Sequence, residues 1–570
     1  MKLNPTSNIN ISVKDETANP PTNPLNIGIP YLNLPIFHVY QDATEKNYGL
    51  TIPFSFKPSP ITNIDLALTY RSQGEDNLLY QGKYHKSNIT TDYTNSLLEI
   101  ESHYIYKEST TNLSRWLFNM SYDQDISEKT KLSTQYYRVS DINYFKEVLA
   151  GAGAGLETLS SHVKLDYKDT KNSLFTTLLS ENQQIVNAGD PGYTREGEIS
   201  ISKNFTDSKI PLKIDIDMTK FAHDTVSKTT GTRSHGNISI SKDLYSKFPV
   251  ITPNANILLT NYSLKNNTNI NRIIYGTGID MDFTINKNIE LFGNKINHRI
   301  TPIISYNYRA RKEQGNIPIF DTTDKYDDII TFLDLKSGER YTGLDRITNA
   351  NDITLSLESS YKGINSDKED NDLLNVKFAQ SFFTDDEVVS ATINTNYETR
   401  KSYSDIAGSI NFSYNNYFIN NEVQYKPEKS KIVKSETSIG YNHSSNDFVE
   451  FKYSDEGQKK TKKNIYGSYV LNDSIHLFGA YDKTTSTGIT NSQMVGISYE
   501  APFLGLRVAH FKTDTNGVGK YNYNTGVELV LPGIGSTSFS LKKRIIDSLP
   551  GYNNDFRFES DRTHIKTFYF

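Results

Sequence analysis

The sequence predicts an all-β fold, one large transmembrane antiparallel β-barrel of about 26 strands. Three observations predict it. Polar and apolar residues alternate with period two, in run after run, from residue 50 to about residue 531. No stretch approaches the ~20 apolar residues that a membrane-crossing helix needs. The 570 residues hold 38 Tyr and 28 Phe against one Trp, yet the mean hydropathy is only -0.56. Barrel strands reconcile these facts, because apolar residues face lipid while their polar neighbours face the lumen. Tyr suits the membrane interfaces, where its ring meets acyl chains and its hydroxyl meets water.

Residues 1–36 form an irregular lead-in. They hold six of the 19 prolines, Pro5, Pro20, Pro21, Pro24, Pro30 and Pro35, and leave room for one strand at 8–14. Residues 37–535 are the barrel. Val163, Leu165 and Tyr167 alternate with His162, Lys164 and Asp166; Ile300, Pro302, Ile304, Tyr306 and Tyr308 with Arg299, Thr301, Ser305 and Asn307; and Ile410, Phe412 and Tyr414 with Asn411 and Ser413. Such residues line opposite faces of a strand. Polar turns at 169–172, 266–269, 366–371 and 444–447 punctuate the runs as repeated hairpins. About 490 residues at roughly 19 per strand and turn give the expected count, for strands of about 9–11 residues. Aromatic residues sit at strand ends, as at Tyr136-Tyr137, Phe382-Phe383, and Tyr414 with Tyr417. Residues 141–149 have room for one short helix. The Ala/Gly run at 150–155 reads as a flexible loop tip. Residues 536–570 are a mixed tail, basic at Lys542, Lys543 and Arg544.

Composition excludes several function classes. With 61 basic and 66 acidic residues, the net charge of -5 offers no basic footprint for nucleic acid. Absent Cys removes disulfides and thiolate metal sites. There is no G-x-S-x-G, no H-E-x-x-H, and the 11 His are scattered, so neither an enzyme nor a cofactor is expected. Asp324, Asp327 and Asp328 lack the glycine and final Glu of a calcium loop. Residues 1–5 lack the start of a signal peptide, so an exported chain would be a mature or N-terminally shortened form.

Several segments, in collinear order over about 28–535, resemble the LPS-assembly protein D (LptD) family. They are Gly28-Ile-Pro-Tyr-Leu-Asn-Leu-Pro-Ile36; residues 48–70 with Pro53, Pro58, Pro60 and Asp65; Ser114-Arg-Trp-Leu-Phe118 followed by Val139-Ser-Asp-Ile-Asn-Tyr-Phe145; Gln314-Gly-Asn-Ile-Pro-Ile-Phe-Asp321 leading to Arg340-Tyr-Thr-Gly-Leu-Asp-Arg-Ile-Thr-Asn-Ala-Asn351; and Gly505-Leu-Arg-Val508. The resemblance implies a barrel in the Gram-negative cell outer membrane that inserts lipopolysaccharide into the outer leaflet through a lateral seam between first and last strands. It also implies an LptE-type lipoprotein plug in the lumen. A periplasmic bridge protein would deliver lipopolysaccharide through a jelly roll that this chain lacks, apart from its last strand.

A seam must be weakly paired, and proline, with no N–H to give, weakens a ladder. Pro35, Pro53, Pro58 and Pro60 are therefore gate candidates, with the run at 48–56 as the first edge. Val527, Leu529 and Leu531 lie on the opposite edge, which ends at Pro532-Gly533. Pro58 and Pro60 also fit a plain turn. Asp321, Arg340, Asp345 and Arg346 mark a loop expected over or in the lumen, with Asp321 or Asp345 paired to Arg340 or Arg346; simple turn capping is the alternative. A general porin or passive transporter is the rival function.

Overall fold

The computed structural model describes residues 31–32, 36–41, 46–59, 62–72 and 82–93 as strand backbone, and most of 95–552 in full. Outside the described residues lie 1–30, 33–35, 42–45, 60–61, 73–81, 107–112, 148–157, 187–191, 207–209, 245–247, 364–371, 386–388, 390–401, 458–460, 515–518, 532–534, 537–540, 542–544, 553–570 and a few single positions. The Ala/Gly run and the candidates Pro35 and Pro60 fall among these.

Among the described residues, twenty-nine strand segments make one sheet. It is an antiparallel meander from Lys46–Ser59 to Tyr521–Leu531, each strand pairing with the next in the chain. Two places carry two segments along one neighbour. Asn269–Asp282 and Ile285–Leu291 both lie along Asn294–Arg309 in a single register, Asp282↔Ile303 then Ile285↔Ile300. Tyr31–Leu32 and Ile36–Gln41 both lie along Lys46–Ser59, but the register changes from Leu32↔Phe54 to Ile36↔Thr51. The two segments are thus offset by one residue along their common neighbour. Tyr31–Leu32, expected in the lead-in, thus already joins the sheet. The ends of the meander meet where Tyr40 pairs with Asn524 and Gln41 with Tyr523.

The long connection 310–349 leaves one rim, and turns such as 170–173 and 415–416 lie at the other. Outer-membrane barrels carry their long loops outside the cell. The wall is apolar on its outer face, with Val163, Ile199, Ile273, Ile439, Val495 and Val527 exposed. Beside Ile273, Arg272 is buried on the inner face. Exposed apolar and buried cationic residues on neighbouring positions fit a sheet whose outer solvent is lipid. The doublet at Tyr136-Tyr137 splits for the same reason. Tyr136 is exposed outside, while Tyr137 packs on Phe145 within.

A wide barrel cannot fill its lumen with wall side chains alone. Here the buried apolar clusters form where loops or the tail fold inward. Tyr144 and Phe145 of the short helix Tyr144–Glu147 pack on Ile105, Leu117, Val139 and Leu159. Phe332 and Leu335 of the helix Phe332–Ser337 pack on Ile303, Ala379 and Ala407. Ile317 and Phe320 pack on Phe221, Tyr262 and Leu264. The tail supplies Leu541, Ile545, Leu549 and Tyr552 to a cluster with Phe448, Phe478, Met494 and Phe511. That tail is helical at the described positions 541, 545, 546 and 548. The spacing of Leu541, Ile545 and Leu549 puts one face of a helix against the wall.

Candidate functional site

The connection 310–349 is folded into the lumen and tied to the wall by two arginines. Arg233, on the strand Gly231–Ser241, donates from Nη1 to Asp321 Oδ1 at 2.7 Å and Asp345 Oδ1 at 2.9 Å, and from Nη2 to Asp321 Oδ2 at 2.8 Å. Its guanidinium lies 4.9 Å over the Phe221 ring, on which Phe320 stacks at 4.5 Å. Arg272, on Asn269–Asp282, donates to Gln314 Oε1 at 2.7 Å and to the carbonyls of Asp345 and Leu344 at 3.0 and 2.5 Å.

Asp345 is the hub of this contact. Besides Arg233 it accepts from Tyr262 Oη at 3.1 Å and from the backbone N–H groups of Phe320 and Asp321 at 2.7 and 3.0 Å. Burial opposes charge on both carboxylates. At Asp321 the Arg233 guanidinium prevails and holds the carboxyl below the usual range. At Asp345 burial prevails and pushes it up, with the Asp321 charge adding to the rise.

The ion pairs differ from the sequence expectation. Both carboxylates converge on Arg233 of the wall, whereas Arg340 pairs with Asp324 at 2.5 Å within the loop. Arg346 donates instead to the carbonyls of Asp345 and Ile317, at 3.1 and 2.9 Å. A loop docking into a lumen needs partners on the wall, and residues about 80–110 positions away cannot be found by local spacing. The signal available was strand parity: Arg233 and Arg272 fall on the face opposite lipid-facing Ile238 and Ile273.

Local chemistry shapes the rest of the loop. Thr331 and Asp334 form a capping box at the start of Phe332–Ser337, and Gly338 closes it in the left-handed conformation at φ 62°. Lys434, across the lumen, donates to the carbonyls of Tyr326, Asp327 and Asp328 at 2.6, 2.8 and 2.6 Å. A cation at the carboxyl end of a short helical turn meets its exposed carbonyl dipoles. Asp324 caps that turn by accepting from Tyr326 N, while Asp321 and Asp345, for which capping was the alternative, bind Arg233 of the wall.

A second loop enters the lumen through the Arg115 segment. Arg115 makes a two-point bond to Asp141, at 3.0 and 2.7 Å, and Tyr144 Oη lies 3.2 Å from His103 Nδ1. The paired segments 114–118 and 139–145 are thus the two halves of one contact.

At the seam, the structure moves the first edge. Ile36–Gln41 lies between Lys46–Ser59 and the last strand, so the run at 48–56 is one strand in from the edge. A six-residue strand beside prolines carries too little alternation to be read locally. Pro53 pairs opposite Ala67, and Pro58 sits where the register shifts between Phe56 and Ser59. Among the described residues, Tyr521–Leu531 has ten residue pairs with Leu504–Asp514 but two with Ile36–Gln41. Val527 is exposed on the outer face and Leu529 partly so, while Glu528 between them is buried, 2.8 Å from Arg507.

A family model described as LPS transport system D matches residues 113–487. The LPS-assembly protein LptD of Shewanella frigidimarina (strain NCIMB 400) is 22% identical over 554 residues, covering 89% of this chain and 70% of its own. Its counterpart in Shewanella oneidensis is 21% identical over 538 residues, covering 88% and 68%. That of Idiomarina loihiensis is 22% identical over 585 residues, covering 93% and 72%.

Proposed function

Because the chain belongs to the LPS transport system D family, and so to the lipopolysaccharide-assembly machinery of the Gram-negative outer membrane, we propose that lipopolysaccharide leaves this barrel sideways, through the seam between Ile36–Gln41 and Tyr521–Leu531. The observation that carries the proposal is that, among the described residues, only two residue pairs join the last strand to Ile36–Gln41 while ten join it to Leu504–Asp514.

The task requires no covalent step. An amphiphile must cross with its sugars in water and its acyl chains in lipid. A fully laddered wall forbids this, since breaking backbone pairs in hydrocarbon costs several kcal/mol per group. A seam with few pairs lowers that cost. Pro53 supports the reading by withholding an N–H from the second strand, and the register change between Leu32 and Ile36 interrupts the first. The docked loop 310–349 closes the lumen against leakage. A lipoprotein plug and a periplasmic bridge protein complete the proposal as partners.

The test uses the absence of native Cys. Tyr40→Cys with Asn524→Cys should cross-link on oxidation in cells, and the locked seam should stop newly made lipopolysaccharide from reaching the surface. Cross-linking with unchanged surface lipopolysaccharide would favour a porin-like role.

A further inference from the structure

Beyond Leu531, Gly535–Ser536 pairs antiparallel with the last strand, Val530 opposite Ser536 and Leu531 opposite Gly535. The other edge of Val530 already pairs with Gly505. The two-residue stub therefore occupies the edge that faces the first strand. The seam register, Tyr40↔Asn524 and Gln41↔Tyr523, continued down the strand would bring residues 34 and 33 opposite Val530 and Leu531. The stub and the first strand compete for the same backbone groups.

Two residue pairs alone make a marginal strand. The tail beyond the stub anchors it. Leu541 lies on Gly526 of the same last strand, so closely that a Cβ at Gly526 would stand 2.6 Å from Leu541 Cδ1. Ile545, Leu549 and Tyr552 then bury against Phe448, Phe478 and Met494 further along the wall. The stub is thus followed by an apolar anchor on the wall.

Resting on the seam reading above, we infer that the C-terminal segment is a wedge. Gly535–Ser536 keeps the first strand off the periplasmic end of the last strand, and Leu541 with its helix holds Gly535–Ser536 in place. A bare sheet edge in lipid would otherwise zip shut, because pairing satisfies its backbone groups. The wedge sets how far that zipping runs. It also assigns the moving part: the last strand is fixed on its inner face by the tail, so opening and closing belong to the N-terminal strand.

The experiment compares two Cys pairs in the purified full chain in detergent micelles. One is Tyr40→Cys with Asn524→Cys, at the observed register. The other is Phe37→Cys with Val527→Cys, opposite each other only if the same register extends downward. In the parent the first pair should cross-link and the second should barely do so. Leu541→Asp, or independently Ile545→Asp, removes the anchor. Either should raise the second cross-link by about tenfold, as the population shifts to the zipped edge, and leave the first unchanged. A second cross-link that stays low in both variants overturns the wedge while the seam stands. A second cross-link already complete in the parent also overturns it. Failure of the first pair to cross-link in the parent overturns the seam reading itself, and the wedge with it.

Discussion

Arg233 on the barrel wall and Asp345, 112 residues further along the chain, meet at 2.9 Å with both side chains almost fully buried. The pair is the point at which the longest described loop is fastened into the lumen. Arg233→Ala would leave Asp345 buried without its cation. Removing one partner of a buried pair costs about 3–5 kcal/mol, and Asp321, a third exposed, recovers part of its share by hydration. The loop should therefore undock. In planar bilayers the variant should conduct in large steps where the parent stays nearly closed, and Arg233→Lys should fall between. An unchanged conductance would show that the loop is held by its apolar contacts alone.

Gly343 gives an independent handle on the same contact. Its φ is +65°, and a Cβ there would stand 2.5 Å from Asp321 Oδ1 and 2.7 Å from Asp321 O. Gly343→Ala combines left-handed strain with a clash against backbone, which cannot move aside cheaply. It should displace Asp321 and reproduce the conductance of Arg233→Ala. Gly338→Ala is the control. It has the same handedness, at φ +62°, but its Cβ would come no closer than 3.3 Å, to Asp352 Oδ2. It should lower stability by about 1 kcal/mol without opening the lumen. Equal conductance in the two variants would mean that strain alone undocks the loop.

These contacts also mark what the sequence could say. The wall was legible, because period-two alternation is a property of neighbours: Val163 and Leu165 declare a strand without reference to anything distant. The loop was legible as a motif, since Gln314, Asp321, Asp345 and Arg346 stand together in the chain. Its partners were not, because Arg233, Tyr262 and Arg272 reach it only through the curvature of the barrel. The tail is hard to read for a different reason. Lys542, Lys543 and Arg544 are conspicuous, whereas the informative residues are Leu541, Ile545 and Leu549, spaced by four on a helical face. The edge strand Ile36–Gln41 was too short to announce itself.

The second lumenal loop should fail more gently. Asp141 holds Arg115 in a two-point bond and also accepts from Asn143 N at 3.0 Å and Ser140 Oγ at 2.7 Å. The carboxylate is about a third exposed, 36% against 5% for Arg115, so solvent screens much of the pairing. Asp141→Ala should cost about 1–2 kcal/mol, mostly from the lost two-point charge-assisted hydrogen bond. Trp116, the single tryptophan and the neighbour of Arg115, reports on the region. Urea unfolding followed by its fluorescence should show an earlier midpoint at constant slope. A coincident midpoint would place the stability of this loop in Tyr144, Phe145 and Leu117 instead.

Pro53 tests the seam by adding a bond where the chain withholds one. It pairs opposite Ala67 in an otherwise regular ladder, between the edge strand and the third. Pro53→Ala restores an N–H, and a net backbone bond contributes about 0.5–1.5 kcal/mol, more where water is excluded. If the first two strands must flex for the seam to part, that bond is broken at each opening. One kcal/mol in a barrier is about fivefold in rate, so newly made lipopolysaccharide should reach the surface several times more slowly. Pro58 lies at the register shift between Phe56 and Ser59, where a bulge already interrupts the ladder, and Pro58→Ala should change the rate little. Surface labelling of pulse-synthesised lipopolysaccharide measures both. Equal slowing would attribute the effect to lost turn geometry, and no slowing in Pro53→Ala would move the flexible element to the register change between Leu32 and Ile36.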